Sequence, residues 1–311
     1  MSGSSFAAIV DAVEAERARV AALPHARIAD AYANLVLEEI RSSTRLAGAT
    51  LERAELRALL ERGIALGDRP LSTYVIAADY ADAARTVARS AAVGPRQPYL
   101  RLGEIVDLHA RATRRTPEAH PGAWRTRTFP AFPSGTVPPP AWIVPREIAA
   151  YVDRVADGPP DRERTLAWLA QAHERFERIH PFTAGNGRVG RLVLNLLTRR
   201  CGYPPFAVRD RDAAAYATAL QRADARDPLP LALLVARCVL ASLVRLGASE
   251  RNDELAEIAA FAAGAQRDAL YKAAQRGRLR IVRRDGSVLT TQAWIDAYRA
   301  SRFTRASASS R

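Results

Sequence analysis

Apolar residues recur three and four positions apart through most of the chain, the spacing that lays one face of a helix against a core. Phe6, Ile9, Val10 and Val13 mark a helix over 6–22 that Pro24 ends. Ile28, Tyr32, Leu35, Val36 and Ile40 mark a second over about 26–41, and the polar run Arg41-Ser42-Ser43-Thr44 then predicts a turn. Further helices are predicted at 52–62, stopped by Gly63, and at 71–92, 99–113, 146–156, 161–179, 187–201, 210–223 and 229–247. Residues 116–146 break the pattern. Eight prolines with Gly122 and Gly135 argue against helix there, and 124–132 suits a short hairpin or extended flap. A polar stretch at 247–253 predicts a break before a last module. The chain reads as mainly α with one small β feature and no internal repeat.

Composition narrows the class. At 311 residues the chain has room for two domains, and 48% hydrophobic with 25% charged residues is ordinary for a globular protein. No window approaches 18 consecutive apolar residues, which predicts no membrane-spanning helix and no membrane partner. The first twenty residues lack the apolar core of a signal peptide. Two cysteines, Cys201 and Cys238, offer no disulfide framework, so reduced thiols and a cytoplasmic location are expected. The net charge is +13, and Lys272 is the only lysine among 46 basic residues. Residues 251–311 hold eleven Arg and one Lys against six acids, a net +6 that suggests an anionic partner for that end. His25, His109 and His120 show no metal-ligand spacing and read as structural.

The segment that carries chemistry is Ile179-His180-Pro181-Phe182-Thr183-Ala184-Gly185-Asn186-Gly187-Arg188-Val189-Gly190-Arg191. A helix ends at a histidine, a Gly-Asn-Gly turn follows, and an apolar helix begins. Backbone N–H groups at such a turn cradle an anion. Gly185 and Gly187 would let the backbone take positive φ and approach a phosphate without a Cβ in the way. Arg188 and Arg191, three apart, can reach one ligand, and guanidinium forks bind phosphate oxygens in pairs. His180 is placed to accept a proton from an attacking hydroxyl near neutral pH. The combination predicts phosphoryl or nucleotidyl transfer.

This segment resembles the signature of Fic (Fido/Doc) proteins, HxFx[DE]GNGRxxR, at every position but one. Pro121-Gly122-Ala123-Trp124-Arg125, the 138–145 proline-containing run, 173–176 and Cys201-Gly202-Tyr203-Pro204-Pro205 are similar to the family's flanking segments, so the likeness extends over about 25–247. The resemblance implies a Fic-type helical bundle with a short β-hairpin flap, and transfer of AMP from ATP to a hydroxyl of a target protein. It implies His180 as general base, Gly185, Asn186 and Gly187 as the phosphate turn, Arg188 and Arg191 on the pyrophosphate side, and Phe182 as a packing residue. Asn186 would help orient the α-phosphate, and a flap at about 125–136 would pin the target by β-augmentation. Retention of Gly-Asn-Gly-Arg implies nucleotide transfer over the Doc-type kinase variant.

Two positions depart from the family. The acidic residue that anchors Mg²⁺ is Ala184 here, and a methyl group cannot hold a hard cation. A changed donor, a metal held by phosphates and water alone, or an inactive core would each be consistent with that. Ser43-Thr44-Arg45-Leu46-Ala47-Gly48 also fits the family's inhibitory helix, [ST]xxxE[GN], with Ala47 where the glutamate stands. On that reading the brake is absent and Arg191 is left for the nucleotide.

Residues 254–300 suggest a small winged helix-turn-helix of the excisionase type. Leu255, Ile258 and Phe261 would form one helix, 263–265 the turn and 267–275 a second helix. Two strands at 278–284 and 287–290 would meet at Asp285-Gly286, and Trp294, Ile295 and Tyr298 would close the core. Gln266, Arg267 and Lys272 would face a DNA groove, with Arg283 and Arg284 on phosphates. The expected organisation is an N-terminal helical region (1–95, with the inhibitory-like segment at 42–52), a Fic core (96–247) and the basic module (248–311). The alternative function is a DNA-binding regulator whose Fic core senses a nucleotide or is inactive.

Overall fold

The computed structural model describes residues 2–91, 98–132, 135–253, 256–284, 286–292, 294–296 and 298–299. Ten helices account for most of the chain up to residue 253: α1 (Ser2–Ala21), α2 (His25–Leu46), α3 (Arg53–Arg62), α4 (Leu71–Ala91), α5 (Leu102–Ala112), α6 (Val144–Ala156), α7 (Thr165–Ile179), α8 (Asn186–Arg200), α9 (Ala213–Asp224) and α10 (Leu229–Asp253). They follow the predicted helices closely, with two informative exceptions. Helix α2 runs through the serines expected to form a turn, because Ser42, Ser43 and Thr44 are buried and the Thr44 hydroxyl donates back to Ile40 O at 2.9 Å. Helix α10 continues through 247–253, where a break is predicted; its polar residues tolerate helix, and one glycine costs only about 1 kcal/mol.

The chain divides into two compact units, one of residues 1–18 and 32–243, the other of 19–31 and 244–311. Helix α8 forms the heart of the first. Val189, Leu192, Val193, Leu194, Leu196 and Leu197 are all buried, and it packs against α4, α5 and α7. The α7–α8 approach depends on Gly190. A Cβ there would lie 2.3 Å from Glu177 Oε1 and 3.1 Å from the Phe176 ring. The last turn of α8 carries the buried cation Arg200, which Glu104 of α5 neutralises through two hydrogen bonds of 3.0 and 2.5 Å.

The flap region holds no strand among its described residues. Phe132 N–H donates to Thr136 O and Gly135 N–H to Phe132 O, both at 2.8 Å. Over Leu229–Ala248, α10 is long and apolar enough to cross a membrane by length and composition, contrary to the prediction from uninterrupted apolar runs. Its Leu231, Val235, Ala236, Val239 and Leu243 are nonetheless buried within the protein.

In the second unit, β1 (Ala256–Glu257), α11 (Ile258–Phe261), α12 (Gly264–Gln275), β2 (Val282–Arg284) and β3 (Ser287–Thr290) follow one another. The strands form an antiparallel sheet in the order β1-β3-β2, with Arg283 opposite Val288 and Ala256 opposite Thr290. Ile258, Leu270, Ala273, Ala274, Leu279 and Ile295 make its core, flanked by Trp294 and Tyr298. The first expected helix is thus only four residues long, because β3 recruits 256–257 into the sheet. Leu255 and Asp285 lie outside the described residues, as does the side chain of Arg284.

Candidate active site

The loop between α7 and α8 is held almost carbonyl by carbonyl. Arg125 Nε donates to His180 O at 2.7 Å, and Arg125 N–H to Pro181 O at 2.9 Å. Asn186 clasps Phe182 from both sides, accepting its N–H at 2.8 Å and donating to its carbonyl at 2.7 Å. His109 takes the Ala184 carbonyl. Its Nδ1 accepts from Gly122 N–H at 2.9 Å, so the proton sits on Nε2 and is donated to Ala184 O at 3.1 Å. The Phe182 ring, fully buried, is stacked between His109 at 3.6 Å and Trp124 at 5.0 Å. A short loop with its carbonyls occupied and its central ring clamped has one conformation.

His180 closes helix α7 from the left-handed region, at φ 49° and ψ 61°, with its N–H on Phe176 O at 3.1 Å. That backbone costs a non-glycine residue on the order of 1–3 kcal/mol, a strain concentrated at functional positions. Its Nδ1 lies 3.3 Å from Glu177 O; a carbonyl only accepts, so Nδ1 carries the hydrogen and Nε2 keeps its lone pair. Phe129 and Phe132 stand edge-on to the ring at 5.3 and 5.0 Å. Burial, opposed by the Glu177 carbonyl and reinforced by the Arg125 cation, pushes the imidazole down to about 4. It is neutral at pH 7, the form a general base needs.

Gly185 caps α8 with φ 83°, as expected for a glycine at that turn. Gly187 differs from expectation: it lies inside the first turn of α8, in ordinary helical backbone. Its role is spatial. A Cβ on Gly187 would lie 3.1 Å from Arg191 Nη1, and one on Gly185 would lie 3.4 Å from Arg188 Nη2. Both glycines therefore make room for guanidinium groups folded against the turn. Each arginine is anchored from behind, Arg188 by Nη1 on Ala112 O at 2.8 Å and Arg191 by Nε on Ser43 Oγ at 2.6 Å and Nη2 on Ser43 O at 2.9 Å.

The Ser43 contact corrects the expectation that Arg191 is left for a nucleotide. Two of its nitrogens are engaged by α2, the element that fits the inhibitory pattern. Ala47, at the exposed end of that segment, contributes nothing polar to it. Arg191 also acts on two acids, the buried Glu39 and the partly buried Glu177. Burial pushes Glu39 and Glu177 each to about 7, with Arg191 acting in the opposite direction on both and the Tyr80 hydroxyl donating to Glu39.

The residues at this turn do not fit a carboxylate-anchored Mg²⁺. Ala184 offers a methyl group and a carbonyl already bonded to His109, and the described residues contain no cluster of three or more His, Cys, Asp or Glu.

Residues 99–198, which contain this whole loop, match the sequence model of the Fic/DOC family. These residues form a Fic/DOC family domain. Protein adenylyltransferase Fic of Nematostella vectensis is 26% identical over 233 residues, 74% of this chain and 53% of that protein. Protein adenylyltransferase fic-1 of Caenorhabditis elegans is 28% identical over 210 residues, 67% of this chain and 40% of that protein. The chain thus spans about half, or less, of the length of these curated relatives. A Fic domain-containing signaling protein from Bacteroides thetaiotaomicron shares the fold with a TM-score of 0.69 at 22% identity, over 78% of this chain and 97% of its own. A fragment of C. elegans Fic-1 gives 0.67 at 23% identity, over 78% and 72%.

Two residues that shape the Fic loop carry no clear mark in the sequence. His109, expected to be structural, bonds the loop itself. Arg125 stands in a segment that flanks the loop in sequence. Its signal was weak: one arginine in a chain with 46 basic residues. The exposed Gln266, Arg267 and Lys272 lie on α12 and the exposed Arg283 on β2, in the second unit.

Proposed function

We propose that the chain is a Fic-type protein nucleotidyltransferase that moves AMP from ATP to a hydroxyl of a target protein. One observation carries this: a half-buried, neutral His180 with a bare Nε2 sits beside a helix N-terminus against which Arg188 and Arg191 are folded. The target hydroxyl attacks the α-phosphorus, its proton passes to His180 Nε2, the bond to the β-phosphate oxygen breaks, and pyrophosphate leaves. Gly185, Gly187 and the first N–H groups of α8 would take the phosphates. Arg188 would neutralise the departing charge, joined by Arg191 once its hold on Ser43 loosens. Asn186 would act through the loop it clasps, and Phe182 through the packing of that loop. The flap would pin the target, and the reaction would run in the cytoplasm.

Ala184 makes metal use and the identity of the donor the open variables of this reading. The test is a donor screen with mass-spectrometric readout, with and without Mg²⁺, on wild type, His180→Ala and Ala184→Asp. AMP transfer lost in His180→Ala is expected, and Ala184→Asp should add a Mg²⁺ dependence. No group transferred from any donor overturns the proposal.

A second reading concerns the basic unit. Exposed Gln266, Arg267 and Lys272 on one helix, with Arg283 on the adjoining hairpin, support duplex DNA as its partner through 254–300, and with it a winged helix-turn-helix role. In the regulator version of this reading the Fic core senses nucleotide without transferring it. A gel shift with the full chain that weakens steeply with salt is expected. Absence of binding to any duplex at low salt overturns it, and ATP-dependent affinity without group transfer selects the regulator.

A further inference from the structure

Among the described residues, Arg125 makes four side-chain hydrogen bonds, each of them to a backbone carbonyl. It is 2% exposed. Its Nε donates to His180 O at 2.7 Å, Nη1 to Arg127 O at 2.9 Å, and Nη2 to Pro139 O at 2.5 Å and Ile179 O at 3.4 Å. Its own N–H reaches Pro181 O at 2.9 Å, and its guanidinium lies 5.4 Å from the centre of the Phe129 ring, which in turn stands against His180. These acceptors come from three places: the end of helix α7 with its catalytic histidine, the entry of the flap and the exit of the flap. Burying a guanidinium costs several kcal/mol unless its donors are satisfied, so a structure that needed only packing here would be better served by an apolar side chain. A planar group with five donors in a fixed fork is instead suited to fixing the mutual positions of three peptide segments.

We infer that Arg125 is a positioning residue for the transfer reaction. It holds the carbonyl of His180, and with it the left-handed backbone that aims the imidazole, in register with both ends of the flap that would present the target hydroxyl. The inference rests on the reading of His180 as the base. Its charge has a second consequence, since the cation beside the imidazole contributes to keeping that ring neutral.

Two substitutions in the full chain separate these effects. Arg125→Met keeps the length of the side chain and removes both charge and donors. Arg125→Lys keeps the charge and loses the fork. Three readouts apply without knowledge of the target: NMR titration of the His180 imidazole, with His180→Ala for assignment; hydrogen exchange over 126–140; and ATP binding by calorimetry. In Arg125→Met, the His180 titration is expected to move upward from its wild-type value, exchange over 126–140 to accelerate at least tenfold, and ATP affinity to stay within about threefold. In Arg125→Lys, the titration is expected to stay low while exchange accelerates. Where transfer is measurable, kcat should fall on the order of 100-fold in both variants with little change in the KM for ATP, as expected for misplacement of a catalytic group by about 1 Å. Should Arg125→Met fail to fold, Arg125→Lys still decides through exchange and kcat. Wild-type exchange over 126–140 in Arg125→Lys, or an unmoved His180 titration in a folded Arg125→Met, overturns the inference. Absence of transfer in the wild type, with the titration and exchange shifts present, overturns the functional proposal and leaves the positioning of His180 and the flap established.

Discussion

The His180 imidazole is enclosed by the Phe129 and Phe132 rings, with the Arg125 cation beside it. An exposed histidine would titrate near 6.5. Here burial, chiefly, lowers it to about 4, while one hydrogen bond from Nδ1 leaves Nε2 as the acceptor. The base is therefore ready throughout the neutral range. The rate of transfer is expected to be flat from about pH 5 to 8 in its His180-dependent part and to fall as pH drops through about 4, measured as kcat/KM with His180→Ala as baseline. An acid limb near pH 6.5 would mean that the imidazole is solvated. Ala47 offers a second test. Ser43, one helical turn earlier, already grips Arg191, so an acid at position 47 would add a charged partner on the same side. Ala47→Glu is expected to weaken ATP binding roughly tenfold by calorimetry; unchanged affinity would show that the segment does not act as an inhibitory helix.

Among the elements, the α7–α8 pair decides the geometry. The two helices bring the histidine at the end of one to the N-terminus of the other, and their separation is set by Gly190, over which the Glu177 carboxyl lies. Gly190→Ala is expected to destabilise the protein by about 1–3 kcal/mol in urea unfolding, because the Glu177 carboxyl and the Phe176 ring must shift. It should also lower transfer more than its effect on stability explains, since α8 carries the phosphate turn. A variant as stable and active as wild type would show that the two helices have slack. The flap makes the complementary point. Its prolines excluded helix from sequence alone, but its path is fixed from outside, by Arg125 at both ends and by the Thr136 hydroxyl on Asp224 of α9 at 3.0 Å.

For the whole molecule, buried titratable groups oppose one another. Burial lowers His109 and His173 to about 4 and about 3, so the stability they contribute is present above 6.5 and is lost as pH falls through those values. Burial raises Glu39 and Glu177 to about 7, so their contribution is full below about 4.5 and is lost as pH rises through 7. Replacing both acids by glutamine is expected to remove a decline in unfolding free energy between pH 5 and 8, at up to about 1.4 kcal/mol per pH unit for each group. Identical pH profiles for wild type and the double variant would mean that Arg191 keeps both carboxylates ionised. Charge is also divided across the chain, since residues 251–311 hold +6 of the net +13. The arginines of the Fic loop are committed to backbone carbonyls and Ser43, whereas Arg267 on α12 and Arg283 on β2 are exposed.

Local pattern places most of the helices and the loop that joins α7 to α8. Those depend on local periodicity, on glycine at the cap of α8 and on the side-chain types within thirteen consecutive positions. The same pattern predicts a short hairpin or extended flap at 124–132, a turn at 41–44 and positive φ at both glycines. Tertiary structure decided what depends on partners distant in the chain. The 41–44 segment of α2 became helix because it is buried in the core and Ser43 meets Arg191, 148 positions away. Gly187 lies in ordinary helix, where its missing Cβ leaves room for the Arg191 guanidinium. Arg125 became the hub of the loop because carbonyls 54 and 55 positions further along fold back onto it. No local pattern encodes such a contact, since a buried cation is selected by the acceptors that surround it, and these meet only when the chain has folded.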